Sequence, residues 1–139
     1  MKKSLRFILV DDDPFALTLT EKLIQGLNES KETITFSSGR EALRFITREH
    51  NLIKNIIPTI LLTDLHMPET DGLALLGSIE KMDNATIKQL LVFVLSAAAS
   101  PDEIRKVMSH RCVTEFYYKP LCVNKLSHMI TCIQYRFNP

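Results

Sequence analysis

Short apolar runs alternate along this chain with longer segments whose apolar residues recur every three or four positions. Residues 5–10 (LRFILV), 59–63 (TILLT) and 90–95 (LLVFVL) are nearly all apolar, as strands buried on both faces are. Residues 33–36 (TITF) alternate polar and apolar, the pattern of an edge or half-buried strand, and 115–118 (EFYY) read as a fifth strand. The intervening stretches have helical spacing. Residues 14–27 place Phe15, Leu19, Leu23 and Leu27 on one face. Residues 72–82 carry Leu75, Leu76, Ile79 and Met82 inward, and 122–136 align Val123, Leu126, Ile130 and Ile133.

Capping signals punctuate the same map. Asp13 is placed to cap the first helix, with Pro14 at the first helical position. Ser38 and Glu41 have capping-box spacing and open a helix to about His50. Ser100-Pro101-Asp102-Glu103 repeats the signal for a helix ending near His110. Five strand–helix units in succession imply a parallel sheet covered by helices on both faces. Right-handed crossovers leave few ways to wind it.

Composition narrows the picture without redirecting it. The chain has 139 residues, which points to one domain. Its formal net charge of +1 gives no basic footprint for nucleic acid. Cys112, Cys122 and Cys132 are an odd set with no CxxC, so free thiols acting as small buried hydrophobes in a reducing compartment are expected. The apolar run before Asp11 is too short for a signal-peptide core, and no run is long enough to span a membrane. A cytoplasmic protein is expected.

In open parallel sheets ligands bind beyond the carboxyl ends of the strands. There the sequence puts Asp11 and Asp12 after strand one, Asp64 after strand three, Ser96 after strand four and Lys119 after strand five. Two like charges about 4 Å apart cost about 4 kcal/mol at an effective dielectric of about 20, so the aspartates call for a cation. Mg²⁺ takes oxygen ligands and often shares them with a phosphate. Asp64 has the chemistry of a phosphoryl acceptor, since carboxylates form acyl-phosphates. Lys119 offers a point charge and Ser96 a hydroxyl donor.

The stretches "ILVDDDP", "LLTDLHMPETDG", "VLSA" and "YYKP", in this order and spacing, resemble the receiver domain of two-component response regulators over roughly residues 5–136. The resemblance implies a flavodoxin-like, doubly wound α/β fold, five parallel strands in order 2-1-3-4-5 with five helices. It implies that Asp64 is the phosphoacceptor and that Asp11 and Asp12 hold Mg²⁺, with Asp64 and the backbone carbonyl of His66 completing the metal site. Ser96 and Lys119 would bond the phosphoryl group, and Ser96 and Phe116 would form the switch pair. Lys119–Pro120 matches a cis peptide, and Pro68 and Gly72 match the turn before the third helix. The implied partners are a sensor histidine kinase or a histidine phosphotransfer protein. With no residues left for an output domain, the signal is expected to leave through a protein surface rather than by DNA binding; Arg105, Lys106, Ser109 and His110 are candidates. The imidazole of His66 and the side chain of Ala98 are expected to tune phosphoryl lifetime.

Two rival readings follow from the same residues. A Mg²⁺-dependent phosphohydrolase also uses a strand-end aspartate, but a common version needs a second aspartate where this chain has His66, and no cap insertion is present. A docking module that takes no phosphate would not need the full set of Asp11, Asp12, Asp64, Ser96 and Lys119. A calcium loop is a poor fit, since neither acidic segment has the alternating ligand spacing. The expected behaviour is a self-phosphorylating and self-dephosphorylating switch, not a turnover enzyme.

Overall fold

Every residue of β1 (Leu5–Val10), β3 (Thr59–Asp64) and β4 (Leu90–Ser96) is buried, and these strands form the middle of the sheet. The computed structural model describes residues 5–27, 31–48, 57–67, 71–82 and 87–137. Five parallel strands lie in the order β2-β1-β3-β4-β5, with β2 (Lys31–Phe36) and β5 (Val113–Tyr118) at the edges. Among the described residues five helices connect and cover them: α1 (Pro14–Gln25), α2 (Gly39–Thr47), α3 (Gly72–Glu80), α4 (Pro101–Ser109) and α5 (Val123–Phe137). The expected strand order and doubly wound architecture are both present.

Alternating side chains send each central strand into two cores. Phe7, Leu9, Phe93 and Leu95 pack with Ile24 of α1 and with Leu126, Met129 and Ile133 of α5. Ile8, Val10, Val92 and Val94 pack on the other face with Ile46 of α2, Leu75 and Leu76 of α3 and Val107 of α4. Each side chain fully buried this way contributes about 1.5–3 kcal/mol. The sheet is therefore fixed from both sides, and its carboxyl edge is a firm platform.

The three predicted N-caps are present, but the Ser38–Glu41 pair makes only the serine half of its box. Asp13 accepts from Phe15 N–H at 3.0 Å, Ser38 accepts from Glu41 N–H at 3.2 Å, and Ser100 and Glu103 make the full reciprocal capping box. The second helix ends at Thr47 with Arg48 as its C-cap, short of the expected end near His50; His50 and Pro68 themselves lie outside the described residues.

Four expectations need correction. Phe15 and Leu19 do not face the core; they are 71% and 50% exposed, while Ile24 is fully buried. A row at i, i+4 drifts by about 40° per step, so the line from Phe15 to Leu27 winds from solvent to core, and Leu17 does the packing at the start of the helix. Val123 is likewise exposed, at the first turn of α5. The cysteines are free thiols, as expected, but none is fully buried: Cys122 is exposed, while Cys112 and Cys132 are half-buried and pack against the two cores. His110 is not on a free helical face either; it is the C-cap of α4, and its Nδ1 lies 3.1 Å from Glu80 Oε2.

Candidate functional site

The acidic rim is built from the first strand outward. The Asp11 N–H still donates to the Phe36 carbonyl at 3.1 Å, so this residue is anchored to the end of β2. Its Oδ1 accepts from Asp13 N–H at 3.0 Å. Side-chain-to-backbone bonds of this kind fix a tight turn, and they leave Asp12 exposed between two tied neighbours. Asp64 closes β3 beside Leu95 of β4. Carboxylate oxygens of Asp11, Asp12 and Asp64 all lie within 4.8 Å of one another. Among the described residues this is the only group of three or more such donors that close.

Lys119 reaches the rim from the opposite edge. Its N–H donates to the Ser96 carbonyl at 2.9 Å, and the Lys119–Pro120 peptide is cis. Its Nζ donates to Asp11 Oδ2 at 2.8 Å and lies 3.5 Å from Asp64 Oδ2. Burial pushes the Asp64 carboxyl above the ordinary carboxylate range and Asp11 adds to the push; Lys119 and the Leu65 N–H pull it back only in part. For Lys119, burial works against the ammonium, but the bond to Asp11 and the charges of both aspartates outweigh it and raise its pKa.

A glycine makes the close packing at Asp64 feasible. A Cβ on Gly72 would stand 2.6 Å from the Asp64 carbonyl oxygen and 2.9 Å from Leu65 Cα. The Gly72 N–H instead donates to the Leu65 carbonyl at 2.9 Å, and Asp71 caps α3 by accepting from Ala74 N–H. Gly72 is thus the first residue of α3, and the start of the helix lies against the end of β3.

Ser96 is buried and its Oγ donates to the Ala98 carbonyl at 2.7 Å. The His66 imidazole does not turn toward the aspartates. Its Nε2 lies 3.2 Å from the same Ala98 oxygen and 3.1 Å from Glu103 Oε2. Phe116 is half-buried against the Val94–Val107 side of the core, with its ring edge-on to Tyr118 at 5.1 Å.

A family model for the response regulator receiver domain matches residues 7–131. The chain belongs to this receiver-domain family. It is 26% identical over 135 residues to the probable C4-dicarboxylate response regulator DctR of Priestia megaterium, covering 97% of this chain and 53% of that one. The chain spans between 12% and 53% of the lengths of the first curated relatives it matches. A response regulator receiver protein from Dyadobacter fermentans superposes with a TM-score of 0.83 at 22% identity, over 97% of this chain and 99% of that one. The Mn(2+)-bound form of response regulator Rcp1 superposes with a TM-score of 0.70 at 21% identity, over 93% and 91% of the two chains. These two structures share the fold.

Receiver domains are phosphoacceptor signalling switches, and the strand-end residues of this receiver converge as the census of its strands predicts. Asp11, Asp12, Asp64 and Lys119 meet at one rim, and Ser96 is joined to it through the Lys119 backbone. Glu103 went unrecognised as a neighbour of the site. Its capping-box spacing is plain in the sequence, but nothing there shows that its second oxygen meets His66. No helix among the described residues is long and apolar enough to cross a membrane.

Proposed function

We propose that this receiver takes a phosphoryl group onto Asp64 from a partner's phosphohistidine, with Mg²⁺ bound, and signals through a protein surface in the cytoplasm. The observation that carries the reading is the meeting of Asp11, Asp12 and Asp64 within 4.8 Å, with the Lys119 ammonium beside them. The donors are all oxygen, which suits a hard cation, and the Mn(2+)-bound form of Rcp1 is a metal-bound relative in fold. Asp11, Asp12, Asp64 and the His66 carbonyl would hold Mg²⁺, which would supply charge neutralisation for the phosphoryl oxygens.

The remaining chemistry belongs to the chain. The Asp64 carboxylate attacks phosphorus and the phosphohistidine nitrogen leaves, giving an acyl-phosphate. Lys119 pairs with a phosphoryl oxygen, and Ser96 turns from Ala98 to donate to another. Phe116 moves into the space Ser96 leaves, which biases the surface of α4, β5 and α5. Water later cleaves the acyl-phosphate and returns the carboxylate, so the domain resets without turning over a separate substrate.

The fold offers the donor a seat. A cavity of about 660 Å³ runs from Asp11 and Lys119 past Phe15, Leu19 and Leu121. The exposed Phe15 and Leu19 would pack against an apolar helix of a sensor kinase or phosphotransfer domain.

Incubation with acetyl phosphate and Mg²⁺, followed by intact-mass measurement, tests the reading. One phosphate is expected on the wild type and none on Asp64→Asn. Equal uptake by the variant would remove Asp64 as acceptor, and continuous release of phosphate from ester substrates would favour a hydrolase.

A further inference from the structure

The Ala98 carbonyl receives groups from both flanks of the site. Ser96 Oγ donates to it at 2.7 Å from β4, and His66 Nε2 approaches it at 3.2 Å from the loop after β3. The same nitrogen lies 3.1 Å from Glu103 Oε2. A backbone carbonyl and a carboxylate only accept, so Nε2 carries the proton and shares it between them. Glu103 is itself held: its Oε1 accepts from Ser100 N–H at 3.0 Å, and its own N–H donates to Ser100 Oγ at 3.1 Å. One oxygen secures the start of α4, and the other is left to fix the imidazole.

We propose that Glu103 is a positioning residue which, through His66, straps the β4–α4 loop in the resting arrangement and so opposes the phosphorylated state. This rests on the proposed roles of Asp64 and Ser96. Ser96 has a single hydroxyl proton, so donation to Ala98 and donation to a phosphoryl group exclude each other. His66 and Glu103 fix the carbonyl where the resting Ser96 meets it. A contact made in one state and not the other shifts the equilibrium by its own free energy. The His66 and Glu103 side chains are 55% and 34% exposed, so the effect is of the size of an exposed ion pair.

Two substitutions separate the strap from the fold. Glu103→Gln keeps an oxygen for Ser100 N–H, since glutamine serves in a capping box, but presents an amide donor to the His66 N–H. His66→Phe keeps a ring and the backbone carbonyl and removes the donor. Each variant is titrated with beryllofluoride, a tetrahedral phosphoryl mimic, in saturating Mg²⁺, and followed by the amide resonances of residues 96–100. Each single variant is expected to bind about two- to fivefold more tightly than wild type. The double variant is expected to bind no more tightly than the better single one, and the Mg²⁺ affinity of Glu103→Gln without beryllofluoride should not change. Unchanged or weaker binding in the single variants, or additive gains in the double, would overturn the strap. Failure of the wild type to bind beryllofluoride would instead remove the proposed phosphoacceptor role, and the strap with it.

Discussion

The ammonium of Lys119 and the carboxylate of Asp11, 108 positions apart in the chain, lie 2.8 Å from each other. Asp64 is farther from that ammonium, at 3.5 Å. The lysine thus occupies the acidic rim as an internal counter-ion. Lys119→Met removes a positive charge from beside the proposed metal site. Its Mg²⁺ affinity should therefore rise, while phosphate uptake from acetyl phosphate falls. Calorimetric titration with Mg²⁺ and intact-mass kinetics check the two effects separately; weaker Mg²⁺ binding would contradict the counter-ion role.

Asp12 is the exposed member of the acidic trio. Neutralising it removes one negative charge from the set that would hold a divalent ion, a loss on the order of 2 kcal/mol. Asp12→Asn should weaken Mg²⁺ about 30-fold and leave thermal stability without metal nearly unchanged. The same titration and a melting curve read both.

The raised pKa of Asp64 is a stability statement. Folding there favours the protonated acid, because burial is the largest influence and Asp11 adds to it. A raised folded-state pKa makes a contribution that is full below the ordinary carboxylate value and is lost as pH rises through the raised one. At neutral pH the ionised Asp64 therefore costs stability in the absence of metal. Asp64→Asn should melt a few degrees higher than wild type at pH 7 without Mg²⁺. The gap should narrow as the pH falls toward the acid range, as melting curves across that range would show.

Two glycines in α3 should respond in opposite ways. Gly72→Ala pushes a Cβ into the Asp64 and Leu65 backbone, whereas a Cβ at Gly77 meets nothing within 4 Å. Gly72→Ala should destabilise by about 1–3 kcal/mol and impair phosphate uptake. Gly77→Ala should stabilise by about 0.5–1 kcal/mol through helix propensity. Urea denaturation of both variants checks sign and size.

The thiols should differ in reactivity. Burial, with the Glu80 carboxylate adding, pushes the Cys112 thiol up to about 11, and Cys122 is exposed. At pH 7.5, iodoacetamide should modify Cys112 at least about tenfold more slowly than Cys122, from its lower thiolate fraction and poorer access. Peptide mapping by mass spectrometry gives both rates.

The architecture was legible wherever burial is two-sided. Runs such as LLVFVL and TILLT admit little but a central strand, and strand ends in a parallel sheet dictate where Asp11, Asp64 and Lys119 meet. Less was legible where one face is wet. The apolar row of α1 was visible, but its winding out of the core at Phe15 and Leu19 was not, since spacing alone does not say where a helix touches its sheet. The edge strand β5 begins at Val113, two residues before the expected start, because the register shifts there: Val92 pairs with Val113 and Phe93 with Glu115. That shift breaks the alternation on which the reading depended. The His66–Glu103 contact joins two loops by side chains, and no periodicity marks such a pair.

The same irregularity in β5 has a mechanical meaning. Thr114 is surplus to the ladder, a spare link between Val113 and Glu115. Slack at that point separates the length of the preceding turn from the spacing that delivers Lys119 to the rim. One-residue insertions or deletions between Ser109 and Thr114 should be absorbed, whereas the same edits between Glu115 and Pro120 would swing the ammonium out of reach. The edge strand thus has a forgiving end and an exacting one.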